Sequence, residues 1–360
     1  VLLSCPVQYL RTLLQKGSWS AVDLPHDWLI YDSHNLYENA ESCYRKKFFS
    51  QGENNTKTFL RFEGVYMDTT IYMNGQRVFE WKYGYSTFEF EITPYLIEGE
   101  NEILVHNVYQ SPNSRWYSGS GIYRNVWLIT LPLSHFVSDG SYLSTKQTNT
   151  GFDVLIDMEC ISNHTGTGII RHMITDADGA PMIDNSTEID LSDSITISAS
   201  HMHIENPVLW DIDNPYLYQI TSTLYVDGEC MDTLTQNIGF RFFSFDSNKG
   251  FFLNGRHVKI HGACQHHDLG ALGAASNKTA LKRQFTMLKE MGVNSIRSSH
   301  NMPSVEFMDL ADEMGLLIYT ESFDMWENKK TEYDYSNYFK DWWQKDLTNW
   351  IRRDRNHPSL

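Results

Sequence analysis

The sequence predicts a multidomain β + α/β chain, with two antiparallel β-sandwiches followed by a parallel α/β unit. Residues 1–243 hold short apolar runs separated by turn signals, with no helical period among them. Near residue 244 the pattern changes to alternating helices and strands. Residues 294–326 then read as strand, helix, strand, with polar groups after each strand. That order is a parallel βαβ unit, and ligands collect at the carboxyl ends of such strands.

Residues 1–131 form the first expected domain. Strands are expected at 58–65, 69–73, 88–92 and 102–108. Phe88-Glu89-Phe90-Glu91-Ile92 alternates apolar and charged groups, as a half-buried strand does. Asn74-Gly75 is a hairpin signal, because both residues tolerate positive φ. Many short strands without helices predict a sandwich or jelly roll. Pro132 and Ser134 mark a boundary, and residues 132–243 form the second expected domain. Its strands are expected at 152–158, 168–174, 188–191, 195–197, 216–226 and 233–240. About seven strands at regular spacing fit an immunoglobulin-like sandwich.

Residues 244–360 form the third expected domain. An Asn254-Gly255 hairpin leads to a strand at 259–262. A helix over 277–291 places Leu281, Phe285, Leu288 and Met291 on one face, with Gly292 as its stop. After a strand at 294–297, Pro303 is expected to open a helix whose buried face is Phe307, Leu310, Ala311 and Met314. Gly315 suits its C-cap, a strand follows at 316–320, and a Trp-rich helix covers 338–353.

Bulk composition narrows the function. Apolar residues make up 41% of 360, enough for real cores, and no stretch approaches a membrane span. The net charge of −16 argues against a nucleic-acid partner. Aromatic residues reach 14%, which suits both sandwich cores and sugar-binding clefts. The five cysteines are scattered and lack CxxC spacing, so neither a disulfide framework nor a zinc site is implied. Val1 to Cys5 faintly resembles a lipoprotein cleavage box but lacks the charged and long apolar stretches of a signal. A cytoplasmic location is expected, with a periplasmic or lipoprotein location as the alternative.

Several residues could carry chemistry. His261, Cys264, His266, His267 and Asp268 crowd one loop in a spacing that fits no zinc pattern, so a polar loop shaping a cleft is expected. Arg297 ends a strand and should pair with a carboxylate, and His300 follows in a polar loop. Glu321 and Asp324 stand three apart on one loop, too close in sequence to face each other across a sugar. Arg115, Trp116 and Tyr117 adjoin Ser118-Gly119-Ser120-Gly121, either as an ordinary sandwich loop or as one leaning over the mouth of the third domain.

Five motifs in order extend these readings. They are Leu24-Pro25-His26-Asp27-Trp28, the run from Ser118 to Trp127, the run from Phe252 to Asp268, the run from Asn294 to Pro303, and the run from Arg353 to Ser359. With them the chain resembles the front part of glycoside hydrolase family 2, the β-galactosidase and β-glucuronidase family. Glu321-Ser322-Phe323-Asp324-Met325-Trp326 is similar to a variant in bacterial β-galactosidase-like members.

The resemblance implies a jelly-roll sugar-binding domain, an immunoglobulin-like domain and the first three βα units of a TIM (β/α)8 barrel. It implies retaining hydrolysis of terminal β-linked sugars by two glutamates that fall beyond Leu360, so the chain is expected to be an N-terminal fragment, inactive alone. His300 resembles the sugar-hydroxyl ligand, and Arg297 the brace of the catalytic carboxylates. Asp324 and Trp326 would line the sugar pocket, with Arg115 and Asn113 reaching in from the first domain. Asn113 and Ser114 stand where some members carry an Asp that binds substrate and sodium, so no metal and no cofactor are expected. The implied partner is a β-galactoside-like carbohydrate, and the parent enzyme would be a homo-oligomer. β-Glucuronidase, β-mannosidase and a non-catalytic carbohydrate-binding protein are the alternatives. Residues 1–17 lack the Trp-containing opening strand of the family. With three of eight barrel strands, the Trp-rich helix is expected to lose packing surface and residues 244–360 to be marginal.

Overall fold

The computed structural model describes residues 2–5 as backbone and residues 19–52 and 55–360 in full. Residues 1, 6–18, 53 and 54 lie outside the described residues, and most of the stretch 1–17 expected to lack a Trp-containing strand falls there.

The first sandwich packs a five-stranded sheet on a three-stranded one. The larger runs Leu2–Cys5, Ala40–Ser50, Gly99–Tyr109, Thr69–Met73, Gln76–Trp81, and the smaller Phe88–Glu91, Thr56–Phe62, Val126–Pro132. Leu60, Phe62, Ile71, Met73 and Phe88 fill the space between them. Two of these strands escape the sequence patterns. Ala40–Ser50 carries Arg45, Lys46 and Lys47 in its middle, and Val126–Pro132 leaves Trp127 and Leu128 half exposed, so neither alternates cleanly.

The second sandwich pairs Thr196–Glu205, Gly151–Ile161 and His135–Gln147 against Pro181–Leu191, Gly166–Thr175, Tyr218–Val226 and Glu229–Ile238. Val154, Ile156 and Met158 alternate inward along one strand, facing Ile170, Ile220 and Leu224 across the core. The strand expected at 195–197 runs to Glu205, because every second residue from Ser198 to Ile204 is buried although several are small or polar.

The third part opens with a hairpin sheet, Phe243–Asp246, Gly250–Leu253 and Arg256–His257. Asn254 and Gly255 turn it at φ +53° and +76°. Three parallel strands follow in spatial order, Gly262–Gln265, Ser295–Ser298 and Leu317–Tyr319. Each is followed by a helix: α1 (Lys278–Glu290), α2 (Val305–Met314) and α3 (Ser336–Asp354). The first strand begins at Gly262 rather than 259. Ser304, not Pro303, starts α2: its side chain accepts from Phe307 N and caps the helix, so the proline precedes the cap. Gly315 ends α2 at φ +68°, with the Ile212 carbonyl 2.6 Å from where a Cβ would sit, so only glycine fits.

Helix α3 finds a partner that the sequence did not reveal. It lies against the first sandwich, where Trp342 meets the Trp81 ring edge-on at 5.3 Å. Phe339, Leu347 and Trp350 join the same aromatic cluster, while Trp343 and Ile351 stay exposed. One face of the helix is therefore covered within the chain.

Polar nodes lock the parts together. The Asp27 carboxylate is 2% exposed and accepts from Leu29 N, Ser120 N, Tyr117 OH and Ala274 N at 2.6–3.0 Å. Gly119, at φ +69°, would put a Cβ 2.7 Å from that carboxylate, which accounts for the glycine. Arg124, 1% exposed, donates to the carbonyls of Tyr85 and Met302 at 2.8 Å, joining the first sandwich to the loop after the second parallel strand. Arg353 reaches the Pro303 carbonyl at 2.7 Å, and Arg352 grips Glu159 of the second sandwich with two 2.7 Å bonds.

Candidate active site

The carboxyl ends of the second and third parallel strands deliver the polar groups. Arg297 belongs to the second strand, and Glu321 follows the third by two residues. Arg297 donates to Glu321 Oε1 from Nε at 2.8 Å and from Nη2 at 2.6 Å. His300 Nδ1 lies 2.7 Å from Glu321 Oε2. A carboxylate can only accept here, so Nδ1 carries the proton. The Arg297 Nη2 contact to the same nitrogen, at 3.2 Å, is then an approach between donors. Nε2 of His300 has no protein partner among the described residues. The hydrogen bonds to Glu321 hold the Arg297 guanidinium above its ordinary pKa.

The loop of the first sandwich leans over this group. Desolvation of the half-buried His267 ring pushes its imidazole down to about 4, and its Nε2 donates to the Ser118 carbonyl at 2.8 Å. That tie holds Trp116 against two imidazoles, 5.0 Å from His266 and 5.4 Å from His300 between ring centroids. Of the two readings of this segment, the structure shows the one over the mouth. Burial keeps the His266 imidazole below its usual pKa.

A second charged group stands beside the first. Arg115 clamps Asp324 with Nη2–Oδ1 at 2.5 Å and Nε–Oδ2 at 3.3 Å, and Lys330 adds a bond to Oδ1 at 3.0 Å. Burial alone would raise the Asp324 carboxyl, but the bonds from Arg115 and Lys330 outweigh it and hold it low. The Asp324 side chain is 4% exposed, against 52% for Arg115 and 42% for Lys330, so the cations face the cleft more than the acid does. Trp326 is 59% exposed, braced by Phe323 and Phe339 at 6.0 and 5.6 Å. Its indole leaves an apolar face open to solvent.

His300, Arg297, Arg115, Asp324 and Trp326 thus all stand on or beside the strand ends. Asn113 does not reach the cleft. It is 5% exposed, its Oδ1 accepts from Tyr66 OH at 2.9 Å, and its Nδ2 donates to the Gln110 carbonyl at 2.6 Å. Those bonds shape the loop that carries Arg115, which is why a residue next to the rim serves as its support. Sequence reasoning passed over Lys330, which lies in an irregular segment where nothing distinguishes it from other surface lysines. Glu321 was set aside as half of a catalytic pair, and its work here is to orient His300.

Two sandwiches leading into a parallel barrel segment, with an aromatic and polar rim at the strand ends, define a glycosidase architecture. Three profiles of one family cover the chain: the sugar-binding domain of glycosyl hydrolases family 2 matches residues 4–132, the family's middle domain 140–241, and its TIM barrel domain 246–360. The chain belongs to glycoside hydrolase family 2. It is 41% identical to β-galactosidase BoGH2A of Bacteroides ovatus, over 96% of this chain and 42% of that protein. A β-glucuronidase of Bacteroides fragilis is 29% identical over 96% of this chain and 53% of its own length. Among solved structures, a family 2 member from Bacteroides cellulosilyticus superposes with a TM-score of 0.93 at 33% identity, over 99% of this chain and 49% of that one. The chain spans about half the length of the relatives it matches.

Proposed function

We propose that the protein is a retaining glycosidase of β-galactosidase type, acting on terminal β-linked sugars, and that this chain supplies the sugar-holding rim. The observation that carries the reading is the Arg297–Glu321–His300 relay, which fixes one imidazole nitrogen and leaves the other free at the strand ends beside Trp116. A neutral Nε2 accepts a hydrogen bond from a sugar hydroxyl, and exposed indole faces hold the ring above it. The similarity to a β-galactosidase over nearly the whole chain supports the choice of sugar.

The two carboxylates of the rim are both engaged, Glu321 by Arg297 and His300, Asp324 by Arg115 and Lys330. Neither is free to serve as nucleophile or as acid/base. This chain by itself is therefore expected to bind sugar without cleaving it. Galactose should quench or shift its tryptophan fluorescence, while a nitrophenyl β-galactoside should stay intact. Turnover by the pure chain would overturn the assignment of these carboxylates, and no response to any β-galactoside would overturn the rim.

A second reading, β-glucuronidase, draws support from Arg115 and Lys330. Both are half-exposed cations beside the strand ends with donors left over, and they could meet a uronate carboxylate. Preference for glucuronate over galactose, lost in Lys330→Gln, would favour it. We also propose a cytoplasmic location and a homo-oligomeric assembly. Thiols at Cys160, Cys230 and Cys264 support the location, which cell fractionation would check.

A further inference from the structure

Ten buried side-chain polar atoms among the described residues lack a protein hydrogen-bond partner, and three of them belong to residues lining one cavity. They are Gln265 Oε1, His266 Nδ1 and Asn301 Nδ2. The cavity has a volume of about 40 Å³. It lies behind the cleft wall, between Tyr85, Tyr123 and Arg124 of the first sandwich and the loops after the first two parallel strands. Leu269, Leu281, Met302 and Phe307 supply apolar walls that cannot pair with the three atoms.

The partners on offer decide what fits. Gln265 Oε1 accepts, because its Nε2 is already donated to Gln284. Asn301 Nδ2 donates, because its Oδ1 is held by the Tyr83 hydroxyl at 2.6 Å. His266 Nδ1 can do either. One acceptor, one donor and one group of either kind match the valence of water, which usually makes about three bonds when buried. A single water needs roughly 10–15 Å³ of such space, so one or two fit. An unpaired buried group would otherwise carry its full desolvation penalty.

We propose that this cavity is an internal hydration site, whose ordered water pairs Gln265, His266 and Asn301 behind the rim. The water fixes the His266 ring from its buried side, and that ring stands against Trp116 and His300. The site rests on unpaired atoms and packing, so it stands or falls independently of which sugar the cleft takes.

A crystal structure of this chain at about 1.5 Å would test it. Water density within about 3.2 Å of at least two of the three atoms is the expected result. An empty cavity, or direct protein partners for all three, would overturn it. In solution, long-lived water should give an NOE to the Asn301 side-chain amide protons, and Gln265→Leu should weaken it at least twofold. An unchanged signal in that variant would rule out a shared site.

Discussion

The joint between the parts and the rim of the cleft are built from the same residue types, arginine, aspartate and histidine, yet they use them in opposite ways. At the joint the polar groups are largely engaged within the protein. Asp27 takes four hydrogen bonds, and Arg124 and Arg353 end on backbone carbonyls of neighbouring elements. At the rim some capacity is left over. His300 is held by one nitrogen, Arg115 and Lys330 remain open to solvent, and Trp326 shows a face. The difference teaches how to read a buried or half-buried charge. A group engaged on all sides reports architecture, and a group held on one side reports a ligand.

The sharpest break of that contrast is Asp27→Ala in this chain. Four donors lose one acceptor in a dry joint, so unfolding stability should fall by about 4 kcal/mol, read from urea melts. A change under about 1 kcal/mol would mean that the joint is looser than it looks.

Asp346 gives the next largest effect, because it is a buried acid whose bonds do not fully offset its burial. Ser86 donates to it at 2.5 Å and Tyr335 also donates, yet burial pushes its carboxyl up to about 7. Its folded pKa lies above the unfolded one, so the stability it contributes is fully present below about pH 4 and is lost as pH rises toward 7. Across that window the loss is up to about 3 kcal/mol. Asp346→Asn should lack that slope, so the stability difference between variant and wild type in urea melts at pH 4.5 and 7.5 should carry it. An identical slope in both proteins would show that Asp346 is not the titrating group.

At the rim, His300→Ala should lower turnover of a β-galactoside by about 100-fold in a catalytically competent form of the protein, the scale of one lost transition-state contact. The melting temperature of the variant should stay close to that of wild type, because only one side of the ring is tied down. A near-wild-type rate would remove His300 from the site. A large loss of stability would move it into the class of the joint.

Much of this contrast was legible before any coordinates. The helix stop at Gly315, the Asn254-Gly255 turn and the strand Thr69–Met73 follow from local chemistry that tertiary packing does not override. Arg297 and His300 follow from the rule that polar groups after parallel strands gather on one rim. What stayed hidden depends on contacts distant in sequence. Ala40–Ser50 is a strand because it pairs with Gly99–Tyr109 over its whole length, whatever its three basic residues suggest. The support of α3 by Trp81 joins segments some 260 residues apart, and no period records it. Asn113 was expected in the pocket because the family resemblance implies it, and only its bonds to Tyr66 and Gln110 reveal that it faces inward.

Trp326 tests the comparison at its weakest point, because its role rests on exposure rather than on a bond. Phe323 and Phe339 hold the indole from behind, and 59% of the residue remains open. If that face stacks on a sugar, Trp326→Ala should raise KM about fivefold with little change in kcat, near 1 kcal/mol of ground-state binding. Trp326→Phe should recover most of the loss, since a flat apolar face is what the sugar meets. Stability should be almost unmoved, because a half-exposed ring contributes little to the core. Equal KM in wild type and Trp326→Ala would make the open face an ordinary exposed aromatic, and the sugar-holding rim would then contract to His300, Trp116 and the cations beside them.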